Sequence, residues 1–261
     1  MSWMRPLGAT ALEVSALGLG TVKLGRNEGV KYPADFELPD ERTATALLAR
    51  ARDLGINLID TAPAYGVSEE RLGKLLRGQR QHWVLCSKVG EEFAAGHSSF
   101  DFSPEHTRAS VRRSLRRLQT EILDVVLVHS NGDDLAIINE LGTLQALQQL
   151  KDEGLIRAFG ISTKTLAGGL AAARYCDVVM LSYNRQQREQ LPVLNACAER
   201  NTGALIKKAL ASGHLQGSSE DPVQASLELA LSHPGTSAVV IGTINPDHLL
   251  DNVAAARRAL D

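Results

Sequence analysis

The segment GLGTVKLG, Gly18–Gly25, closes the first apolar run of the chain and decides between two α/β folds. A doubly wound dinucleotide-binding sheet spaces its glycines as GxGxxG in the first strand-to-helix turn, so that backbone can approach a pyrophosphate at a helix N-terminus. Gly18, Gly20 and Gly25 do not keep that spacing, and the residues beyond them read as a long loop rather than a helix. Seven further apolar runs follow. With the first, Ala16–Gly20, the candidate strands are Asn57–Asp60, Trp83–Ser87, Asp124–His129, Ile156–Ile161, Val178–Leu181, Ala204–Lys207 and Ala238–Ile241. They are short and apolar almost throughout, as strands covered on both faces should be.

Helical patterns fill the gaps. Asp40 is placed to cap a helix whose Leu47, Leu48, Ala51 and Leu54 share one face. Ser68 precedes Glu69 and Glu70, which suit a helix N-terminus. Ser103-Pro104, Asp221-Pro222 and Asn245-Pro246 each set a capping residue before a proline at the first helical position. Gly154 and Gly203 mark helix-to-strand turns. The N-terminal stretch is different: Met4–Leu7 and Leu12–Ser15 flank Gly8-Ala9-Thr10 as a small hairpin. The remaining chain, ~245 residues, divides into eight units of ~31, one βα unit each. The expectation is an α/β protein, a closed (β/α)8 TIM barrel with an N-terminal β-hairpin plugging the barrel bottom, spanning 1–261 as one domain.

Composition narrows the function classes. Lys+Arg number 28 against 30 Asp+Glu, a formal charge of −2, which removes any broad electrostatic case for nucleic acid or an anionic membrane. The three cysteines, Cys86, Cys176 and Cys197, are odd in number and form no CxxC pair, against a disulfide framework or a zinc knuckle. His82, His97, His106, His214 and His233 show no metal-ligand spacing, so no metal is expected. The longest charge-free run, Leu229–Pro246, contains His233, Pro234, Gly235 and Gly242 and reads as helix, loop and strand rather than a span. The start MSWMRPLG has no apolar signal core, and a cytoplasmic location is expected. In RASVRRSLRRLQ, Arg108–Gln119, Val111, Leu115 and Leu118 supply a buried face, which makes the arginines a solvated one.

Chemistry in this architecture sits at the C-terminal ends of the strands. Four polar residues gather there: Asp60 in NLIDTAPAYG, Tyr65 in the loop behind it, Lys88 in WVLCSKVG and His129 in DVVLVHS. Alone, they read as a helix cap, a packing ring, a solvated lysine and a structural histidine. Together they have a logic. A phenol, with a reference pKa of ~10, is a poor acid at neutral pH. A neighbouring ammonium stabilises its phenolate, and a carboxylate holds that ammonium in place. An imidazole beside the hydroxyl can orient a carbonyl oxygen. Such a set protonates a developing alkoxide. Cys86 shares a strand face with Lys88 and has no acid or His partner in sequence, so it reads as inert packing.

The segments RPLGATALEVSALGLGT (Arg5–Thr21), GINLIDTAPAYGVSEERLGKLL (Gly55–Leu76), CSKVG (Cys86–Gly90), SLRRLQTEILDVVLVHS (Ser114–Ser130), GLIRAFGIS (Gly154–Ser162) and IGTINPDHLLDN (Ile241–Asn252) resemble the aldo-keto reductase family. The resemblance implies a (β/α)8 barrel that uses NADPH or NADH without a Rossmann domain and reduces carbonyls reversibly by hydride transfer. It implies Tyr65 as general acid, Lys88 as the group lowering its pKa, Asp60 as the partner of Lys88 and His129 as the carbonyl-orienting residue. For the cofactor it implies Gly20 and Thr21 at the nicotinamide end and Ser162 on the carboxamide. A family Asn is Thr163 here. Tyr183-Asn184 is present, but the family's carboxamide Gln is Met180. Lys207 stands where a stacking aromatic is usual, with Lys208 beside it, a pair suited to a pyrophosphate. Gly242 and Thr243 precede the last helix, whose start would favour a phosphate. Asp251 and Asn252 match an adenine-contacting pair, and His248 lies where a cation usually meets the 2′-phosphate.

The expected function is therefore NADP-dependent reduction of an aldehyde or ketone to an alcohol, with NADPH weakly preferred over NADH and a small-molecule carbonyl compound as partner. Two alternatives remain: a nucleotide-binding redox-sensing regulatory protein, and a sugar or polyol dehydrogenase running the reverse reaction. The substrate mouth is expected to be wide, with a short loop around Gly213–Glu220 and no tail beyond Asp261 to close it. The insertion Lys23–Pro39, with Tyr32 and Phe36, is the candidate lid.

Overall fold

The computed structural model describes residues 1–30, 32, 35–213 and 221–261. The expected short loop of Gly213–Glu220, with His214 in it, thus falls from 214 onward outside the described residues. Twelve strands are described: β1 Met4–Pro6, β2 Glu13–Ser15, β3 Leu17–Gly20, β4 Leu58–Asp60, β5 Val84–Val89, β6 Glu91–Ala94, β7 His97–Phe100, β8 Leu123–His129, β9 Ile156–Ser162, β10 Val178–Ser182, β11 Gly203–Lys207 and β12 Ala238–Ile241. Eight of them, β3, β4, β5, β8, β9, β10, β11 and β12, pair in parallel in that order, and β12 closes on β3 through Val239 opposite Leu17 and Ile241 opposite Leu19. The sheet is a closed barrel, and each predicted strand is one of its staves. Helices α1 Val22–Gly25, α2 Glu41–Asp53, α3 Ser68–Leu75, α4 Pro104–Arg117, α5 Asp134–Asn139, α6 Thr143–Asp152, α7 Leu166–Tyr175, α8 Leu191–Arg200, α9 Pro222–Leu231 and α10 Pro246–Arg258 connect them.

Alternation along the strands sorts the side chains. Leu58, Val84, Cys86, Val125, Leu127, Ala158, Val178, Met180, Leu205 and Ala238 form the barrel interior. The intervening residues, among them Leu19, Ile59, Leu85, Val126, Val128 and Ile206, pack outward against the helices. Further up five of the strands the inward row turns polar, to Asp60, Lys88, His129, Ser162 and Lys207. That change of chemistry, apolar below and charged above, sets the floor of the site.

The bottom of the interior is closed by the antiparallel pair β1–β2, whose neighbours Leu7, Leu12 and Val14 join the interior cluster. Arg5 ties this hairpin to the barrel, donating to the carbonyls of Thr236 at 2.9 Å and Leu231 at 3.0 Å. The caps read from sequence are in place at Asp40, Ser103, Asp221 and Asn245, whose side chains accept from backbone N–H groups of the first helical turn. The arginines of α4 are engaged by acids: Arg112 with Glu153 at 2.9 Å, Arg117 with Glu70 at 3.3 Å, and Arg113 with Glu92.

Four local features differ from the sequence reading. The segment after β3 opens with one helical turn, α1, rather than loop, because Leu24 N–H bonds the Thr21 carbonyl and Arg26 N–H the Val22 carbonyl, both at 2.9 Å. Ser68 is the first residue of α3, and Val67 precedes it. The turn into β11 is made by Asn201 in the left-handed region (φ 55°), while Gly203 lies within β11, where a side chain would strike Leu7 of the plug. Finally, β6 and β7 form an unforeseen second hairpin directly beyond Lys88, with Glu91 opposite Phe100 and Ala94 opposite His97.

Candidate active site

Tyr65 reaches the rim because its backbone is clamped. It ends a one-turn 3-10 helix, Pro63–Tyr65, packed against α1. Gly25 touches this turn so closely that a Cβ there would lie 2.3 Å from the Tyr65 carbonyl oxygen and 2.2 Å from Ser68 N. Gly66 returns the contact with φ at 60°, and a Cβ on it would lie 2.2 Å from the Gly25 carbonyl oxygen. Thr21 locks the same corner: its hydroxyl donates to the Asp60 carbonyl at 2.9 Å and accepts from Ser68 at 2.9 Å.

Lys88 rises from β5 beside this turn and is 2 % exposed. Its Nζ donates to Asp60 Oδ1 at 2.6 Å and to the Thr61 carbonyl at 2.9 Å, and lies 4.8 Å from the centre of the Tyr65 ring. Burial works against the lysine charge, but Asp60 outweighs it, with help from Tyr65 and Cys86, and the Lys88 pKa stands above the ordinary lysine value. Lys88 is thus a fixed cation. On Tyr65 the balance is different. Burial raises the phenol's pKa more than the Lys88 charge lowers it, so the resting group is held protonated. Lys88 opposes that rise without overcoming it. Cys86, on the same strand face, is fully buried and its thiol is pushed well up, first by burial and then by Asp60, consistent with inert packing.

His129 ends β8 with its ring perpendicular to that of Tyr65, the centroids 6.2 Å apart. Its Nδ1 lies 2.7 Å from Glu91 Oε2, a short contact off the line of the ring N–H. Burial depresses the imidazole pKa, Glu91 opposes that, and Lys88 and Lys207 add to the depression. Burial also works against the Glu91 charge, but His129, Ser98 and Arg26 prevail and its pKa falls to about 2. Ser98, from β7, donates to Glu91 Oε1 at 2.6 Å. The second hairpin therefore delivers a carboxylate to the back of the imidazole. Sequence reasoning missed Glu91, since within GEEF it reads as one of two solvated acids.

Lys207 ends β11 as the counterpart of Ser182 on β10. Its Nζ donates to Ser162 Oγ at 2.8 Å and to the Thr163 carbonyl at 3.0 Å. Among the described residues no carboxylate lies within ion-pairing reach of it. Burial, and after it Lys208, Lys88 and Lys164, bring its pKa down to about 7, with Asp134 opposing. Lys208 follows in the left-handed region, at φ 57°. Its carbonyl accepts from Asn184 Nδ2 at 2.9 Å, so the family-like Asn184 shapes this loop.

One cavity of about 870 Å³ runs from these groups to the last βα unit. It is lined by Asp60, Tyr65, Lys88 and His129, by Gly20, Thr21, Ser162, Lys207 and Lys208, and by Gly242, Thr243, His248, Asp251 and Asn252. Of the residues proposed from sequence, Tyr183 alone is elsewhere: it is 4 % exposed, packed in the cluster between sheet and helices. Lys164, Tyr32 and Arg258 line the cavity without having been singled out there as cofactor residues. The start of α10 is less open than its sequence suggested. Asn245 Oδ1 accepts from Asp247 N at 2.8 Å and His248 N at 3.3 Å, and Thr243 Oγ1 accepts from Asn245 N at 3.0 Å. These donors are already satisfied, so a phosphate here would rely on side-chain cations. The donor set nonetheless fits a dinucleotide. The volume lies within the range of ligand cavities, and lysines stand along the wall with His248 and Arg258 at the far end. Beside Ser162, the Thr163 hydroxyl is buried with no partner.

A strand-end cavity in a TIM barrel, with a phenol against a buried ammonium and an imidazole across from it, places the protein among barrel oxidoreductases. Residues 16–226 match the aldo/keto reductase family model. The structure superposes on that of a putative aldo-keto reductase from Pseudomonas aeruginosa with TM-score 0.90 and 55 % identity, covering 99 % of this chain and 95 % of that one. A Bacillus subtilis protein described as an uncharacterized oxidoreductase is 27 % identical over 97 % of this chain and 90 % of its own. A D-threo-aldose 1-dehydrogenase from Pseudomonas sp. is 30 % identical over 82 % of this chain and 72 % of its own. The chain belongs to the aldo/keto reductase family, whose members are oxidoreductases of carbonyl compounds and sugars that use a nicotinamide cofactor.

Proposed function

We propose that the protein reduces an aldehyde or ketone to an alcohol with NADPH, and with NADH less well, residues 1–261 acting as one barrel unit with Tyr65 as proton donor. The observation that carries this reading is the buried Lys88–Asp60 pair at 2.6 Å with the Tyr65 ring above it in the floor of the cavity. The nicotinamide, when bound, supplies the hydride. Tyr65 supplies the proton to the carbonyl oxygen as it gains negative charge. Burial keeps the phenol protonated until that charge develops, and the fixed Lys88 cation then stabilises the phenolate left behind. Asp60 keeps Lys88 oriented and charged.

His129 completes the set from the opposite side. An imidazole whose Nδ1 faces a carboxylate has Nε2 left to meet the carbonyl oxygen in the cavity. His129 thus orients the carbonyl from a ring that Glu91 holds in place. Lys208, His248 and Arg258 would hold the anionic parts of the dinucleotide, with Asp251 and Asn252 toward the base and Lys207 toward the nicotinamide. Weak discrimination for the 2′-phosphate follows from having His248 and Arg258 there, the latter shared with Gln224 at 2.9 Å, instead of an unencumbered bidentate arginine.

A second reading, oxidation of a sugar by the same residues in reverse, is favoured by the likeness to an aldose dehydrogenase. A redox sensor would bind the dinucleotide without turning over. The test is multiple-turnover oxidation of NADPH with a panel of aldehydes and ketones, alongside reduction of NADP⁺ with aldoses. Carbonyl turnover supports the first reading, aldose turnover alone the second. Binding without either would leave the sensor.

A further inference from the structure

Lys207 is a cation with neutral partners. Its two hydrogen bonds go to a hydroxyl and a carbonyl oxygen. The charged groups facing it from neighbouring elements are mostly of its own sign: Lys208 on its own loop, Lys164 after β9, Lys88 on β5 and His129 on β8, with Asp134 of α5 opposing them. Lys88 in turn is matched by Asp60. Among the described residues, Lys207 therefore stands on the cavity wall with no carboxylate in ion-pairing reach.

Its position relative to the reaction follows from chemistry. Tyr65 gives its proton to the oxygen of the same carbonyl whose carbon takes the hydride, so the reacting nicotinamide ring lies within a few ångströms of the Tyr65 hydroxyl. The charge of Lys207 is felt at His129, and that of Lys88 at Lys207. Lys207 lines the same cavity as Tyr65, Lys88 and His129, so its charge acts on a ring held among them. The reduced ring is neutral and the oxidised ring carries +1. The phosphates are the same in both forms, so their attraction to Lys207 cancels in any comparison of the two.

We propose that Lys207 sets the preference for the redox state of the cofactor: its unpaired ammonium opposes the positively charged oxidised ring, so the reduced form binds more tightly. This rests on the reading that a nicotinamide is the hydride source. Because burial and neighbouring lysines bring the group to about 7, the effect is switchable near neutrality. Below that pH the lysine is charged and the reduced form is favoured. Above it the lysine is neutral and the advantage fades. Two unit charges about 6–12 Å apart at an effective dielectric of about 20 correspond to roughly a hundredfold to tenfold change in affinity.

The test uses the full chain and titrates NADP⁺ and NADPH by calorimetry at pH 6 and pH 9, with wild type, Lys207→Met and Lys207→Arg. The quantity read is the ratio of the two dissociation constants, oxidised over reduced. In the wild type it is expected to be about tenfold or more higher at pH 6 than at pH 9. Lys207→Arg, charged throughout, should keep the high ratio at both values, and Lys207→Met the low one. The wild-type pH series stands even if a variant does not fold. A ratio independent of pH in wild type, or equal in wild type and Lys207→Met at pH 6, overturns the role of Lys207 while leaving the proposed activity intact. If the wild type binds neither dinucleotide, that activity and this inference fall together.

Discussion

Exchanging Tyr65 for phenylalanine removes one oxygen from a ring that is otherwise held by backbone contacts at Gly25 and Gly66. The phenol acts in the chemical step only, so Tyr65→Phe should lower kcat by roughly 10²–10⁴-fold with cofactor affinity nearly unchanged. Stopped-flow turnover and fluorescence titration check both halves, and more than a tenth of wild-type kcat would refute the assignment. Glu91 makes a subtler prediction. With its pKa at about 2 it is ionised at every practical pH, and it is the group that supports a charged His129 against burial. Glu91→Gln removes that support and lowers the His129 pKa further. Any inflection of kcat/KM that reports the His129 ring should therefore move to lower pH. A kcat/KM–pH profile that keeps its inflection would show that Glu91 merely packs. These residues were not equally legible. Asp60, Lys88 and His129 were, because each ends an apolar strand where only a site explains a polar residue. Glu91 was not, because its meaning depends on a hairpin whose strands, EEFA and HSSF, have no apolar alternation.

At the level of elements, the barrel strands declared themselves because strands buried on both faces are apolar runs of limited length. The plug was legible for a related reason, since Leu7, Leu12 and Val14 ask for a core that a free terminus would not offer. Its contribution is testable. Leu7 is fully buried and seated on Gly203 of β11, which has no side chain to fill the space it would vacate. Leu7→Ala should therefore destabilise the fold by about 2–5 kcal/mol in urea melts, with kcat unaltered because the plug lies at the opposite end from the site. A loss below ~0.5 kcal/mol would mean that the hairpin is a passive cover. The insertion after β3 gives the third case. Its Tyr32 and Phe36 meet edge to face at 5.6 Å, and Lys23 Nζ lies 4.1 Å from the Tyr32 ring centre. Tyr32 also lines the cavity, and a Cβ on Gly242 would lie 3.2 Å from its hydroxyl. The sequence suggested a lid that acts on KM and substrate range far more than on cofactor affinity. Its reach to Gly242 extends the expectation: deleting Glu28–Glu37 should change KM and substrate range and also speed cofactor release. Stopped-flow displacement of the cofactor measures the second effect, and an unchanged release rate together with an unchanged substrate profile would dismiss the lid.

For the molecule as a whole, the site is placed where the fold can tolerate instability. The inward rows of the barrel are apolar up to one layer and carry Asp60, Lys88, His129 and Lys207 above it; among the described residues Lys88 and His129 face carboxylates there and Lys207 does not. A lysine whose pKa is 10.5 in the unfolded chain and about 7 when folded lowers stability wherever the unfolded state binds the extra proton. The sign follows directly. Below about 7 both states are protonated and the full penalty is present. Between about 7 and 10.5 the unfolded state holds more protons, so stability rises with pH, and above 10.5 the penalty is gone. At pH 7 the penalty is of order 4 kcal/mol. Lys207→Met removes it, and sacrifices two hydrogen bonds worth about 1–2 kcal/mol together. The expected result is a variant more stable than wild type by about 2 kcal/mol at pH 7, with the advantage gone near pH 10. Urea melts at pH 6.5, 8 and 9.5 resolve this, because only the wild type should gain stability across that range from this group. A Lys207→Met protein no more stable than wild type at pH 6.5 would mean that the lysine is accommodated without penalty. A stabilised variant that has also lost its preference for the reduced cofactor would identify the charge as one retained for binding at the expense of the fold.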